Sequence, residues 1–316
     1  MSDPAPSASA LATPSANRSE APAEAAPAWP TAPRIAFQGE PGAYSHQACR
    51  QWSPESEALP CPTFEDTVEA CRSGAADLAM LPVENSTYGR VADIHHLLPE
   101  SGLNIIGETF VRVHISLLGV PGARLEDVTE AMSHTVLLGQ CRGFLRRHNI
   151  RTLTGPDTAG SAMMVAQGGD PRRAALASPL AGEIYGLDRL ADEIEDRQNN
   201  TTRFLIMSRT PDLSRRLNAA GRPDMLTSFV FRVRNIPAAL YKAMGGFATN
   251  GVNMTKLESY MVDGVFTATQ FYADIEGHPD DPAVARALDE LRYFTSMLTI
   301  LGVYPADPLR ARQQQG

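Results

Sequence analysis

The chain has 316 residues, 43% of them apolar and 20% charged, with a formal net charge of -8; this is enough for two domains with separate cores. The negative balance excludes a nucleic-acid backbone as partner, because there is no basic surplus to neutralise phosphates. It leaves room for an anionic small molecule held by a few local arginines, and the lack of any run of 18 apolar residues excludes a membrane-spanning helix.

Four cysteines (Cys49, Cys61, Cys71, Cys141) show no C-x-x-C spacing and no metal-ligand companions, which reads as reduced, structural thiols in a cytoplasmic protein. Of the seven histidines only His95 and His96 are adjacent, and neighbours on a helix point apart. Neither a metal nor another cofactor is expected.

Residues 1–33 hold 11 Ala and 7 Pro; prolines this dense break helices, and little there could fill a core. No apolar stretch follows a basic start as in a secretory signal; a disordered tail is expected, with organelle targeting as the alternative. Order begins with a strand at Arg34–Gln38. A glycine turn, Gly39 to Ser45, leads into a helix from His46 to Trp52, and such a junction offers free backbone N–H groups to an anion. Thr63 caps the next helix. The run Asp77 to Val83 reads as a strand that ends abruptly in Glu84, Asn85, Ser86 and Thr87. That cluster reads as a ligand site at a strand end, as a helix N-cap made by Ser86 or Thr87, or as both together.

Strands follow at 103–109 and 113–119, then a helix-rich stretch around Gln140–Arg147. Next come a short strand at Arg151–Leu153, a helix capped by Asp157 or Thr158, a strand at Arg173–Ser178 and a helix closed by Gly186. Asn199-Asn200-Thr201-Thr202-Arg203 then opens a strand through Met207. Polar groups bunched at the mouth of a buried strand are costly unless they face a ligand or each other. Alternating β and α elements imply an α/β domain with largely parallel sheets, built as two periplasmic-binding-protein-like lobes around a cleft and spanning 34–210.

A polar linker covers 211–226, and past it the pattern changes. Ser228–Arg234 alternates as a half-buried strand. Leu240, Met244 and Phe247 recur at helical spacing behind Pro237. Two strands, 252–261 and 265–274, flank a D-G turn at 262–264. A helix capped by Asp281-Pro282 carries Val284, Leu288, Leu291, Phe294 and Leu298 on one face, and Thr299–Tyr304 is a last strand. The order βαββαβ is the ferredoxin-like α+β arrangement. It covers 227–305, with a tail at 306–316.

Three motifs together resemble the prephenate dehydratases: Gln38 to Ser45, Leu81 to Gly89, and Asn200 to Phe204. Ser133-His134, Gly139-Gln140-Cys141 and Tyr185-Gly186-Leu187 are also similar to that family. Asn235 to Lys242 and Thr255 to Ser259 resemble its regulatory ACT domain. The resemblance implies a lyase that converts prephenate to phenylpyruvate, losing CO2 and water, in phenylalanine biosynthesis. By family position Thr202 is the key catalytic residue, an oriented donor to the leaving oxygen. Thr201 would point to the opposite face of the strand and is read as structural. Glu84, Asn85 and Gln140 join Thr202 as catalytic candidates. Ala43, Tyr44, Ser45, Ser86, Thr87, Asn200, Arg203 and Phe204 are candidates for binding substrate; for Arg203 a structural ion pair stands beside pairing with a substrate carboxylate.

In the ACT unit the resemblance implies phenylalanine bound by Asn235, Pro237, Ala238, Ala239, Leu240, Asn253, Leu257, Glu258 and Ser259 between paired chains, in a homodimer or homotetramer. Two departures bear on it. Ala238 stands where the family has glycine, and Tyr260-Met261 where it has Arg-Pro, so the identity of the effector stays open. Glu40 stands where a proline is common, with little consequence for the turn. The 33-residue tail is too short for the fused chorismate mutase of some relatives. Arogenate, the amino analogue, is the alternative substrate, and a non-catalytic amino-acid sensor is the alternative class.

Overall fold

The computed structural model describes residue 30 and residues 32–197, 199–213, 224–234, 236–261 and 268–313. The D-G turn, Asn235, and most of both the tail at 1–33 and the linker lie outside these.

The first lobe begins with β1 (Arg34–Gln38), α1 (Tyr44–Trp52), β2 (Glu57–Cys61), α2 (Phe64–Ser73) and β3 (Leu78–Asn85), then a short β4 (Gly89–Arg90), α3 (Ala92–Leu97) and β5 (Asn104–Arg112). The second lobe holds β6 (Ser116–Gly119), β7 (Glu130–Ser133), α4 (Thr135–Gln140), α5 (Arg142–Arg147), β8 (Arg151–Thr154), α6 (Thr158–Gly168), β9 (Arg173–Ala177), α7 (Pro179–Tyr185) and β10 (Asp188–Ala191). The chain then returns to the first lobe as β11 (Thr201–Ser208), between β3 and β5. Two crossings therefore join the lobes, one before β6 and one after β10, and the cleft lies between them.

The sheets are mixed rather than largely parallel. β1 pairs β2 and β3 in parallel, but β11 runs antiparallel to both β3 and β5. In the second lobe β7 is parallel to β8 and β9, while β6 is antiparallel to β9 and β10. The returning strand is the physical reason: a chain that leaves a lobe along β5 comes back against it. The cap choices resolve locally. Thr63 accepts from Asp66 N and Asp157 from Gly160 N, while α3 is capped by Val91, so neither Ser86 nor Thr87 caps a helix.

The C-terminal unit is βαββαβ: β12 (Met225–Val233), α8 (Ala239–Thr249), β13 (Met254–Met261), β14 (Ala268–Glu276), α9 (Pro282–Phe294) and β15 (Thr295–Pro305). Leu298, expected on the second helix, lies in β15, because α9 stops at Phe294. A further helix, α10 (Pro308–Gln313), follows. Phe229, Phe231, Phe247, Phe271, Leu288 and Leu291 fill the core between this sheet and its two helices.

Both units share one sheet among the described residues. β15 lies beside β5, with Gly302 opposite Ile105. A Cβ on Gly302 would collide with the Ile105 backbone, so glycine is what lets the strands approach. A second cluster runs across the joint, combining Leu81, Val83 and Leu205 with Tyr260, Tyr272 and Tyr304.

Candidate active site

The two motif strands meet side by side. Thr202 lies opposite Asn85 and Arg203 opposite Glu84, and the register then shifts so that Phe204 faces Pro82. The extra residue is Val83, a β-bulge in β3. Upstream, Ala79 and Leu81 face the C-terminal unit, while Leu78 and Met80 face the α1 side with Phe204 and Ile206. A regular pleat would place Glu84 with Met80 and Asn85 with Leu81. The bulge reverses both, as bulges beside functional sites do. Asn85 and Thr202 therefore share the cleft side, and Glu84 and Arg203 share the side of the C-terminal unit.

On the cleft side the hydrogen bonds fix which way the Asn85 amide and the Thr202 oxygen are used. Asn85 Oδ1 accepts from the backbone N–H of Thr87 at 2.9 Å and of Tyr88 at 3.0 Å. Only its amide nitrogen remains to donate, and Nδ2 does so to Asn200 Oδ1 at 2.6 Å and Thr202 Oγ1 at 3.0 Å. The Thr202 oxygen is thus held as an acceptor, and its own proton is free for another group. Ser86 stitches the strand ends, its hydroxyl donating to the Asn199 carbonyl at 2.7 Å and accepting from Thr201 N at 2.9 Å. A cavity of about 280 Å³ opens between the lobes, lined by Thr87, Tyr88, Gly139, Gln140, Asp196, Arg197 and Asn200. Gln140 Oε1 is buried there with no hydrogen-bond partner, and Asp196 accepts from Gly143 N at 3.1 and 3.2 Å. Arg197, absent from the sequence candidates, is the cation lining this cavity. Its place six residues before Arg203 was the available signal.

On the opposite side Arg203 is 1% exposed. Its Nε donates to Glu108 at 2.7 Å, Nη1 to Glu84 at 2.8 Å and Asp274 at 2.7 Å, and Nη2 to Tyr304 at 2.9 Å. Of the two readings of Arg203, the structural ion pair is the one these four partners fit, since four of its five N–H groups are taken up inside this cage. Burial works against its charge, but Asp274, Tyr304 and Glu108 outweigh it and hold the guanidinium protonated. Burial pushes Glu84 up, while Arg203 and Lys256 more than offset it and keep the carboxyl below its ordinary value. Glu84 thus turns away from the cleft to which the sequence assigned it. Phe204 is core, packed with Phe37 and Ile206.

The glycine turn does not border the cavity. Gly42 adopts φ +94° and lies so close to α7 that a Cβ would sit 2.7 Å from Ala181 Cα, and the Ser178 hydroxyl donates to its carbonyl. Behind it, Tyr44 donates to the His114 carbonyl at 2.7 Å, and Ser45 is buried in α1. Gly42 and Tyr44 therefore join the lobes near the crossing, and Ala43 and Ser45 beside them do not line the cavity either. The cysteines are buried; beside the cleft, burial and then Asp196 push the Cys141 thiol far up, which makes it a poor nucleophile.

In the C-terminal unit Ala238 adopts φ +60° at the start of α8, the left-handed region glycine would occupy without strain. Pro237 and Ala238 are exposed and Ala239 and Leu240 turn inward. Asn253, just before the edge strand β13, and Leu257 and Ser259 along it are exposed, with Glu258 half-buried and 3.3 Å from Lys256.

Residues 35–212 match the family described as prephenate dehydratase. The chain is 52% identical over 278 residues to a bifunctional N-acyl-homoserine lactone acylase/prephenate dehydratase of Komagataeibacter europaeus, covering 88% of this chain and 98% of the relative. It is 38% identical over 291 residues to arogenate dehydratase/prephenate dehydratase 1 of Arabidopsis thaliana, covering 88% and 73%. The solved prephenate dehydratase of Arthrobacter aurescens in complex with L-Phe superposes with a TM-score of 0.77 at 31% identity, over 86% of this chain and 89% of that one.

Proposed function

Because the chain belongs to the prephenate dehydratase family, we propose that its interlobe cleft binds prephenate, with Thr202 as the donor to the departing ring hydroxyl. The family activity, dehydration of prephenate or arogenate in phenylalanine biosynthesis, sets the bond changes. The ring carboxylate leaves as CO2, its bonding pair enters the ring, and the carbon opposite expels its hydroxyl. Expulsion as hydroxide is costly, and one added proton makes the products phenylpyruvate, CO2 and water. A positioned donor at that oxygen is worth roughly 10²–10³-fold. The observation that carries the assignment is the Asn85 amide, whose nitrogen occupies the Thr202 oxygen as acceptor and leaves the hydroxyl proton to donate.

Gln140, Asn200 and Thr87 line the interlobe cavity as polar contacts, Thr202 is tied to it through Asn85 and Asn200, and Arg197 takes a substrate carboxylate. Asp196 lines the cavity and keeps acceptor sites beyond the one N–H of Gly143, so the cleft can meet either the keto group of prephenate or the ammonium of arogenate. Turnover of each substrate by the purified chain tests the choice. Thr202→Ala should fold as the parent and lose about 10²-fold or more in kcat. Near-parent turnover in that variant removes the donor role.

The C-terminal βαββαβ unit is read as an ACT domain that binds phenylalanine, in keeping with the L-Phe complex of the Arthrobacter relative. Pro237, Ala238, Ala239 and Leu240 at the α8 start, with Asn253 just before β13 and Leu257, Glu258 and Ser259 on it, form the proposed site. Leu257 and Met261 are exposed along that edge strand, which suits pairing with a second copy. A phenylalanine titration that changes neither rate nor oligomeric state rejects this part.

A second reading comes from the relative at 52% identity, whose name includes acylase activity on N-acyl-homoserine lactones. Incubating the same protein with such a lactone and following homoserine lactone release tests it, and absence of release rejects it.

A further inference from the structure

Glu84, next to Asn85 in the chain, and Arg203, next to Thr202, both reach into the C-terminal unit. From β13, Lys256 Nζ donates to Glu84 Oε2 and lies 3.3 Å from Glu258. From β14 and β15, Asp274 and Tyr304 hold the Arg203 guanidinium. The Lys256 side chain is only 11% exposed, so its ammonium is committed to these carboxylates and not shared freely with water.

We propose that Lys256 is a positioning residue for the dehydratase reaction: by fastening Glu84, it holds the Val83 bulge in the register that turns Asn85 into the cleft and onto Thr202. The inference rests on the dehydratase reading and goes beyond it, because it makes the C-terminal unit a standing part of the catalytic apparatus.

The bulge carries the argument. Past Val83 the β3–β11 ladder has only the pairs Arg203–Glu84 and Thr202–Asn85. A regular pleat would swap the faces of Glu84 and Asn85, putting a carboxylate against Thr202 and taking its amide partner away. What opposes the swap is the cation pair that meets Glu84 on the other face, one oxygen on Arg203 and the other on Lys256. Arg203 is held by four partners and cannot follow a moving Glu84. Lys256 fixes the remaining oxygen and ties it to an edge strand of the second unit. Arg90, on the strand paired with β3, donates to the Ser259 carbonyl at 2.7 Å and fastens the same strand at a second point.

The test is steady-state turnover of prephenate by the full chain and by Lys256→Met, Lys256→Arg, Glu84→Gln and the Lys256→Met/Glu84→Gln pair, each with a thermal melt. Lys256→Met should lower kcat about 10- to 100-fold, the scale of a misplacement near 1 Å at a reacting group. KM should stay within about twofold, because the cleft lining is untouched. Lys256→Arg should recover most of the rate. The double variant should be no slower than the slower single, since both remove one connection. The acid limb of the rate should also move to higher pH in Lys256→Met, because Glu84 loses a cation. The other charged groups around Glu84 stay in place, Arg203 on β11, Arg90 on β4, Glu258 on β13, Asp274 on β14 and Arg310 on α10, as does His95 on α3, which burial pushes down to about 4 and keeps neutral. Lys256→Gln serves where the methionine variant does not fold, with the same expectations. A parent that turns over prephenate, beside lysine variants with parental kcat and an unmoved acid limb, overturns the positioning role alone. Independent, multiplicative losses in the double variant overturn it as well.

Discussion

Asn85→Asp tests the proton arrangement at the site more sharply than removal of Thr202. The carboxylate retains an oxygen for the Thr87 and Tyr88 N–H groups, at 2.9 and 3.0 Å in the parent, so the turn after β3 stays tied down. It has no hydrogen to give, however, and the two bonds that Nδ2 makes to Asn200 and Thr202 are lost. Asn200 can turn its amide and donate in place of accepting. The Thr202 hydroxyl can only rotate to donate to the new carboxylate, which takes its proton away from the cleft. The variant should behave as though Thr202 were absent, with kcat down about 10²–10³-fold, or roughly 2.7–4 kcal/mol of barrier. Phenylpyruvate formation measures the rate, a melt checks the fold, and Asn85→Asp/Thr202→Ala should be no slower than the slower single. An aspartate variant within about threefold of parental kcat, or multiplicative losses in the pair, would refute the claim that Asn85 orients the threonine proton.

Other perturbations read other parts of the molecule. Arg203→Met leaves Asp274, whose side chain has no exposure, without its cation, while Glu108 keeps Arg310, and should cost about 3–5 kcal/mol near pH 7. Burial raises the Asp274 carboxyl, but Arg203 and the Ser228 and Tyr272 hydroxyls together outweigh it, for a net depression; its contribution in the parent is therefore present above the unfolded value and fades as pH falls, while the variant's uncompensated carboxylate takes up a proton, so the gap in melting midpoint should narrow from about pH 7 to about pH 4. Arg197→Ala should raise KM for prephenate about tenfold or more with kcat little changed, the loss of one charge-assisted bond to a carboxylate. Ala238→Gly relieves a left-handed residue at φ +60° and should stabilise the chain by up to about 1 kcal/mol in urea unfolding.

The sequence made the βαββαβ unit legible because each of its boundaries has a local signal, such as Pro282 at a helix start or the alternation of Ser228–Arg234. Short strands escaped it for local reasons too. β2 contains Pro60, tolerable in an edge strand, and β10 is four residues of which Asp188 and Arg189 lead. At the site, alternation separated Thr202 from Thr201, and β11 is regular enough for that to hold across its pairing with β5. The same argument applied to β3 would have failed, since continuing the pleat from Leu81 sends Glu84 to the cleft and Asn85 away from it. No residue type announces the Val83 bulge; it exists because Glu84 finds Arg203 and Lys256 on the far face, and Lys256 lies 172 positions away. The role of Arg203 was hidden in the same way, behind carboxylates at 108 and 274. Motif spacing could place the right residues near one strand end. Which of them point at substrate is decided by ion pairs that form only when the second unit docks, and this is why the face a motif residue takes depends on the C-terminal unit as much as on its own strand.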